Sequence, residues 1–391
     1  MGPLKGITIL EFAGLGPAPF CGMLLADLGA EVIRIDRKPR SAQGEGLATV
    51  TARNKGDVLS RGRRSIVLDL KRPGAKEIAL QLIERSDALI EGFRPGVMEG
   101  LDLGPDVCQQ RNPRLVYGRV TGWGQDGPLA NAAGHDINYI ALTGVLHSIA
   151  RQGCTPTPPP GLVGDFGGGG MLLAFGLVSA LLEASKSGKG QVIDASVCDG
   201  SALLAALLYG WKAQGMWNAE AGTNMGDSGA HFYDAYRCSD GRCISIGAIE
   251  PQFYKLLLQR CQISDPAFDK QWKQSEWPVL KEKLSTLIAT RTRDEWCQLL
   301  EGTDACFAPV LDLDEAPRHP HNVARGTFVE VDGVIQPAPA PRFSRSTVQT
   351  YHSVDQEGAQ TRAILGELGF AAEAIADLLA QQVAWAPSAC S

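Results

Sequence analysis

The chain has 391 residues and is poor in the features that usually mark a metal, redox or membrane protein. Its six histidines contain no HxxxH or HExxH spacing, and none of its ten cysteines forms a CxxC pair. His319 and His321 are the nearest approach to a chelating pair, but they sit beside Pro317 and Pro320 in what reads as a loop, so no metal is expected. The cysteines are expected to be reduced thiols used mostly as small apolar side chains. No net positive charge is available for a nucleic acid, since the formal balance is −6. The longest apolar run, about 171–182, is short for a bilayer crossing, so no membrane association is expected. The N-terminus passes directly into a strand pattern without the shape of a signal peptide, and Ala389-Cys390-Ser391 is not a peroxisomal tripeptide.

What remains is an ordinary globular composition, 44% hydrophobic and 20% charged, at a length that calls for more than one core. Buried-strand patterns at 7–12, 31–36, 65–70, 88–91, 115–120 and 191–195 alternate with helical patterns at 17–28, 73–85, 136–149, 168–185 and 200–214. That alternation predicts an α/β fold with a mostly parallel, Rossmann-like sheet covered on both faces. Residues 215–230 turn polar and glycine-rich, as a linker would. Beyond them the pattern changes. Strands at 232–238 and 242–248 flank Ser239-Asp240-Gly241, a hairpin signal. Helices at 250–262, 276–290 and 293–301 and a strand at 305–311 complete a smaller α+β domain. The expected division is a large domain over 1–196, a linker over 197–225, a small domain over 226–326 and a C-terminal segment over 327–391. That segment has strands near 327–335 and helices at 358–368 and 371–382.

Near the start, Gly14-Leu15-Gly16 lies between a strand and a helix, and Asp36 ends the next strand. This partly imitates a dinucleotide-binding turn. Pro19 stands where the third glycine belongs, so no NAD is expected and a plain strand-to-helix turn is the simpler reading. Basic residues then cluster: Arg37, Lys38, Arg40, Arg53, Lys55, Arg61, Arg63, Arg64 and Lys71. In an acidic chain they suit a polyphosphate ligand such as a nucleotide or coenzyme A, or else form a solvated basic face.

Three segments carry more: Ala133-Gly134-His135-Asp136-Ile137-Asn138-Tyr139, Leu162-Val163-Gly164-Asp165-Phe166-Gly167-Gly168-Gly169, and Gly247-Ala248-Ile249-Glu250-Pro251-Gln252-Phe253-Tyr254. Taken alone, His135, Asp165 and Glu250 are ordinary residues for helix starts. Together, in this order and spacing, the segments resemble the α-methylacyl-CoA racemases of the class III CoA-transferase family (CaiB/BaiF). The resemblance extends through EFAGLGPAPFCGMLLADLGAEVIRID (11–36), EGFRPGVMEGLDLGP (91–105), SGKGQVIDA (187–195) and TDACFAPVL (303–311).

The resemblance implies a two-domain subunit whose C-terminal region returns to the large domain, and a homodimer whose subunits interlock. It implies interconversion of (2R)- and (2S)-2-methylacyl-CoA thioesters, with no cofactor beyond the CoA of the substrate. The α-proton of a thioester is weakly acidic, so its transfer needs a base on each face and support for the enolate. By resemblance His135 serves the 2S substrate and Asp165 the 2R substrate. Glu250 would hold the histidine through a hydrogen bond, Tyr233 would contact the aspartate, and Asp136 would support the same network. Arg37 corresponds to an arginine near the adenosine phosphates. Leu68, Asp69, Leu70 and Lys71, with Gly92, Phe93 and Arg94, correspond to stretches lining the nucleotide. Gly134, Ile137, Asn138 and Tyr139 correspond to the thioester end.

Two influences on Asp165 oppose one another. Burial on a glycine-rich turn raises its pKa, whereas a place at a helix N-cap lowers it. Three positions depart from the family pattern: Gly161 for Asn, His231 for Pro, and Gly100 for a residue that is basic in some relatives. The first two flank the expected site and bear on the acyl pocket, to which Met216, Trp217 and Met225 are candidate contributors, core packing being the plainer role. The rival readings are a CoA-transferase in which Asp165 is the covalent acyl carrier, a CoA-binding paralogue without chemistry, and a nicotinamide dehydrogenase. Family members work in bacterial cytoplasm, mitochondria and peroxisomes, and a cytoplasmic location is the expectation.

Overall fold

The computed structural model describes residues 1–38, 54–348 and 354–387; Arg40, Arg53 and Cys390 lie outside them. The chain separates into two compact units, one formed by 1–143, 159–204 and 327–391, the other by 144–158 and 205–326. Two boundaries differ from the sequence expectation. Residues 144–158 belong to the second unit rather than to the large domain, and the expected linker 197–225 is divided at residue 204 between the two.

The first unit is built on a seven-stranded sheet in the order β12-β3-β2-β1-β4-β5-β6. Its strands are β1 (Thr8–Phe12), β2 (Glu31–Asp36), β3 (Arg63–Leu68), β4 (Ala88–Glu91), β5 (Val116–Thr121), β6 (Val192–Ser196) and β12 (Ala384–Trp385), while β10 (Phe328–Val331) and β11 (Val334–Pro337) form a separate antiparallel pair. All neighbours in the seven-stranded sheet are parallel except β12, which runs antiparallel to β3. The central strands read as unbroken apolar runs because both faces are covered: Ile9, Leu10, Ile66, Leu89 and Ile90 are fully buried. Each such side chain contributes roughly 1.5–3 kcal/mol on leaving water. The strand order reverses at β1 and β4, and an open parallel sheet parts there into a crevice beyond its carboxyl ends.

Helix α1 (Pro17–Asp27) opens with a proline, whose missing N–H costs nothing in a first turn, and Gly16 before it takes φ 63°. Beyond β5 lies α5 (Asp136–Leu142), after α2 (Pro73–Glu84), α3 (Val97–Gly100) and α4 (Pro105–Arg111). It stops at Leu142, short of the helix expected over 136–149. The helix expected over 168–185 begins earlier. A π-helical stretch, Leu162–Met171, runs directly into α6 (Leu172–Ser187). Its glycines let backbones meet: a Cβ on Gly168 would lie 2.8 Å from the Ser201 nitrogen, and one on Gly170 2.7 Å from the Pro17 oxygen. Taken as one helix, residues 162–187 are long and apolar enough to cross a membrane, which the shorter run 171–182 did not indicate. One side of it, through Leu173, Ala174, Leu177, Ala180 and Ala184, is buried in the first unit. The apolar stretch 200–214 is two helices, α7 (Val197–Leu204) and α8 (Ala206–Ala213), not one.

Burial reassigns much of the basic cluster. Arg63 pairs with Glu11 at 2.9 Å with neither side chain exposed, and Arg61 pairs with Asp27 at 2.5 Å. Arg64 bridges Glu31 and Glu367. These three arginines are structural ties rather than free phosphate ligands. Asp36, the acidic residue of the imitation dinucleotide turn, is likewise engaged by Ser65 and Arg34.

The second unit carries a three-stranded antiparallel sheet: β7 (Tyr233–Arg237), β8 (Cys243–Gly247) and β9 (Phe307–Pro309). Its core packs α9 (Pro251–Arg260), α10 (Trp277–Ile288) and α11 (Arg293–Leu300) around Phe232, Tyr254, Phe268 and Trp296. The polar stretch read as a linker is tied down. Asp227, buried, accepts from the amides of Gly222 and Asn224 and from the Asn224 side chain.

Candidate active site

His135, Asp136 and Asp165 come together in the first unit. His135 is the N-cap of α5, exposed, with extended backbone. Its N–H donates to Asn138 Oδ1 at 3.0 Å, and its carbonyl accepts from the amides of Asn138 and Tyr139. The backbone is thus fixed, and the residue stays exposed. Tyr139 packs edge-on against Trp123, with ring centres 4.7 Å apart, and donates its hydroxyl to the Gly134 carbonyl. A Cβ on Gly122 would fall 2.0 Å from that tyrosine ring, so only glycine lets the ring lie there.

Asp165 is not the N-cap expected from the sequence. It lies inside the π-helical stretch, where the Phe166 amide reaches back to the Gly161 carbonyl. Its own amide donates to Asp136 Oδ1 at 2.7 Å. The carboxyl therefore gains a second negative group nearby instead of the donors a cap would collect. Burial first, and Asp136 second, push its pKa from 3.8 up to about 6, while His135 pulls it down. Of the two opposing influences, burial prevails, and the net direction is upward. Gly16 lies against this carboxyl: a Cβ there would be 2.8 Å from Asp165 Oδ2. The turn that imitates a dinucleotide site thus faces an acidic side chain, a poor neighbour for a pyrophosphate. Burial and Asp165 also raise Tyr139, and Arg94 lowers it, so all three share one local field.

A half-buried carboxyl poised near pH 6 beside an exposed imidazole can both give and take a proton at neutral pH. Farther along the strands' carboxyl ends is a cleft of about 740 Å³. It is lined by Arg37, Leu68, Asp69, Leu70, Lys71 and Phe93 from the expected set. Arg37 lies 5.8 Å over the Phe93 ring. Gly92, Arg94, Gly134, Ile137, Asn138 and Tyr139 do not line this cleft. Gly92 and Arg94 directly follow β4, at the reversal of strand order, and the other four surround His135. Sequence reasoning missed Gln382, Ala384 and Trp385, which close the cleft from the C-terminal segment. It also missed Gly122 and Trp123, and read Gly16 only as part of a turn, since a glycine's close neighbours and a ring's stacking partner are set by distant segments.

Glu250 and Tyr233 are carried by the second unit. Glu250 is the exposed N-cap of α9, its carbonyl accepting from Phe253 and Tyr254. Tyr233 opens β7 opposite Gly247 and lines a separate cleft of about 560 Å³ with Cys306 and Phe307. Of the other candidates, Met216 is exposed, Trp217 stacks on Trp211, and Met225 packs against the second core. His319 caps a short helix, Pro320–Arg325, and pairs with Glu301 at 2.8 Å. Among the described residues no group of three or more His, Cys, Asp or Glu side chains is arranged to hold a metal.

The model of CoA-transferase family III matches residues 4–358. The chain is 43% identical over 382 residues to alpha-methylacyl-CoA racemase of Homo sapiens, covering 97% of each chain. It is 30% identical over 359 residues to acetyl-CoA:oxalate CoA-transferase of Acetobacter aceti, covering 88% of this chain and 90% of that one. The solved structure of a CAIB/BAIF family protein from Brucella suis has TM-score 0.79 and 24% identity, covering 94% of this chain and 99% of that one. At that identity the likeness speaks for the fold.

Proposed function

The chain belongs to CoA-transferase family III, and from that premise we propose that it is a racemase of 2-methylacyl-CoA thioesters. The observation that carries the reading is Asp165, a carboxyl raised to about 6 and held through its amide by Asp136, beside the exposed His135. His135 removes the α-proton of the 2S substrate and Asp165 donates to the opposite face. For the 2R substrate the roles reverse. By the family resemblance, Glu250 is the residue assigned to fixing the tautomer of the imidazole, and Tyr233 the one assigned to supporting the aspartate. The enolate between the two transfers is a charge that the site must stabilise.

CoA is the handle of the substrate. Arg37 and Lys71 are exposed at the cleft beyond the strands' carboxyl ends, and there they meet phosphates. The chain works as a homodimer. Met171, Phe175, Val178 and Leu182 form an exposed apolar stripe at helical spacing, of the kind that a second subunit covers.

A family III transferase would instead use Asp165 as a carboxylate nucleophile. A raised pKa favours an acid over that nucleophile, and His135 has no part in acyl carriage. The test is one pure 2-methylacyl-CoA epimer in deuterated water, with α-deuterium uptake and epimer ratio followed, and a free carboxylic acid then added. Deuterium uptake with epimerisation is expected. CoA passing to the acid without exchange overturns the reading.

A further inference from the structure

Behind Glu250 the second unit buries polar side chains where apolar ones would pack at less cost. His231 is fully buried, with the rings of Phe232, Tyr254 and Phe268 set edge-on about it. Its Nε2 lies 2.8 Å from the Tyr254 hydroxyl. That hydroxyl donates to the Phe268 carbonyl at 3.0 Å, so it accepts from His231, and the imidazole carries its proton on Nε2. Nδ1 then has no hydrogen-bond partner among the described residues. Burial and Lys281 lower the imidazole to about 4, which keeps it neutral. The His231 carbonyl accepts from the Tyr236 hydroxyl.

Gln271, also buried, donates from Nε2 to the carbonyls of Ala248 at 3.1 Å and Ile249 at 2.8 Å. Its own carbonyl accepts from the Trp277 indole at 2.8 Å. The amide of Tyr254 donates to the Glu250 carbonyl at 2.9 Å. Glu250 is thus held from both sides. Gln271 clamps the two residues before it, and the Tyr254–His231 bond fixes the first turn after it to the segment leading into Tyr233. Buried polar groups of this kind add little to stability, and what they supply is one geometry.

We propose that His231 and Gln271 are positioning residues that hold Glu250 for proton transfer through a buried hydrogen-bond bracket. The inference rests on the racemase reading, in which Glu250 orients His135. It follows that loosening the bracket slows the step performed by His135 and spares the one performed by Asp165.

The probe is a 2-methylacyl-CoA fluorinated at C3, used as single enantiomers. Loss of the α-proton to the enzyme base forms the enolate, the C–F bond breaks, fluoride leaves, and the C2–C3 double bond forms. Fluoride release from each enantiomer therefore reads one base alone. The variants are His231→Phe, Gln271→Leu and the milder Tyr254→Phe, which removes only the hydroxyl and keeps the test available if the others fail to fold. Release from the enantiomer served by His135 should fall roughly ten- to a hundred-fold, chiefly in kcat, with the other within about two-fold. On a Glu250→Gln background the same substitutions should add nothing further. Equal losses from both enantiomers, no loss from either, or additive losses on the Glu250→Gln background would overturn the proposal. If the wild-type protein releases fluoride from neither enantiomer, the racemase reading itself fails.

Discussion

Replacing Asp136 by Asn removes a negative charge beside Asp165 while keeping an oxygen for the Asp165 amide, which now approaches Asp136 Oδ1 at 2.7 Å. The wild-type carboxyl is pushed up from 3.8 to about 6, with burial the larger cause and Asp136 the next. Near pH 6, roughly a tenth of Asp165 is protonated at pH 7, against about one part in a thousand for an unperturbed carboxyl. Removing one like charge should lower the pKa by on the order of one unit and leave it raised by burial. The acid form at pH 7 then drops about tenfold, and the step in which Asp165 donates slows in proportion. Both directions of racemisation need one proton shared between the pair, so kcat/KM should follow a bell whose acid limb lies near pH 6. In Asp136→Asn that limb moves to lower pH. The assay is kcat/KM for each epimer from pH 4 to 9, with thermal unfolding as the check on folding. A wild-type acid limb at or below pH 4, or a limb that Asp136→Asn leaves unmoved, would refute the assignment of Asp165 as a raised carboxyl.

Asp165→Asn should abolish racemisation yet stabilise the protein at pH 8. A carboxyl raised from 3.8 to about 6 favours the folded state below pH 3.8, and that contribution is lost as pH rises through 6. The variant's Tm should therefore lose its decline between pH 4 and 7, and a lower Tm at pH 8 would contradict this. Gly16→Ala places a methyl 2.8 Å from Asp165 Oδ2 at φ 63°, and should cost about 1–3 kcal/mol in urea unfolding and about 10²-fold in kcat. Arg63→Met leaves Glu11 buried and unpaired, and urea unfolding should register a loss of about 3–5 kcal/mol, partly restored by Glu11→Gln. Arg37→Ala should raise KM for CoA thioesters about tenfold at low salt with kcat little changed, and weaken the dependence of KM on ionic strength.

The order of strands and helices was legible because buried parallel strands and proline-led helices leave local signs. The runs at 7–12 and 88–91 alternate with helices, and Pro17 and Pro73 mark helix starts. His135, Asp165 and Glu250 became candidates only through spacing and resemblance, since each alone is an ordinary residue for a helix start. The basic cluster was read wrongly in part. A sequence lists charges but not their partners, and Arg61 and Arg63 find Asp27 and Glu11 on segments more than thirty positions away.

The sequence by itself determined which groups are present: the imidazole of His135, the carboxyl of Asp165, a glycine run and an α/β alternation. Only the tertiary structure decided what Asp165 is. A cap would have surrounded it with donors and lowered its pKa. The π-helical stretch instead buries it, and hands its amide to Asp136, a negative group twenty-nine positions back along the chain. Desolvation and like charge depend on neighbours in space, and those neighbours exist only once α1, α5 and the glycine stretch have packed together.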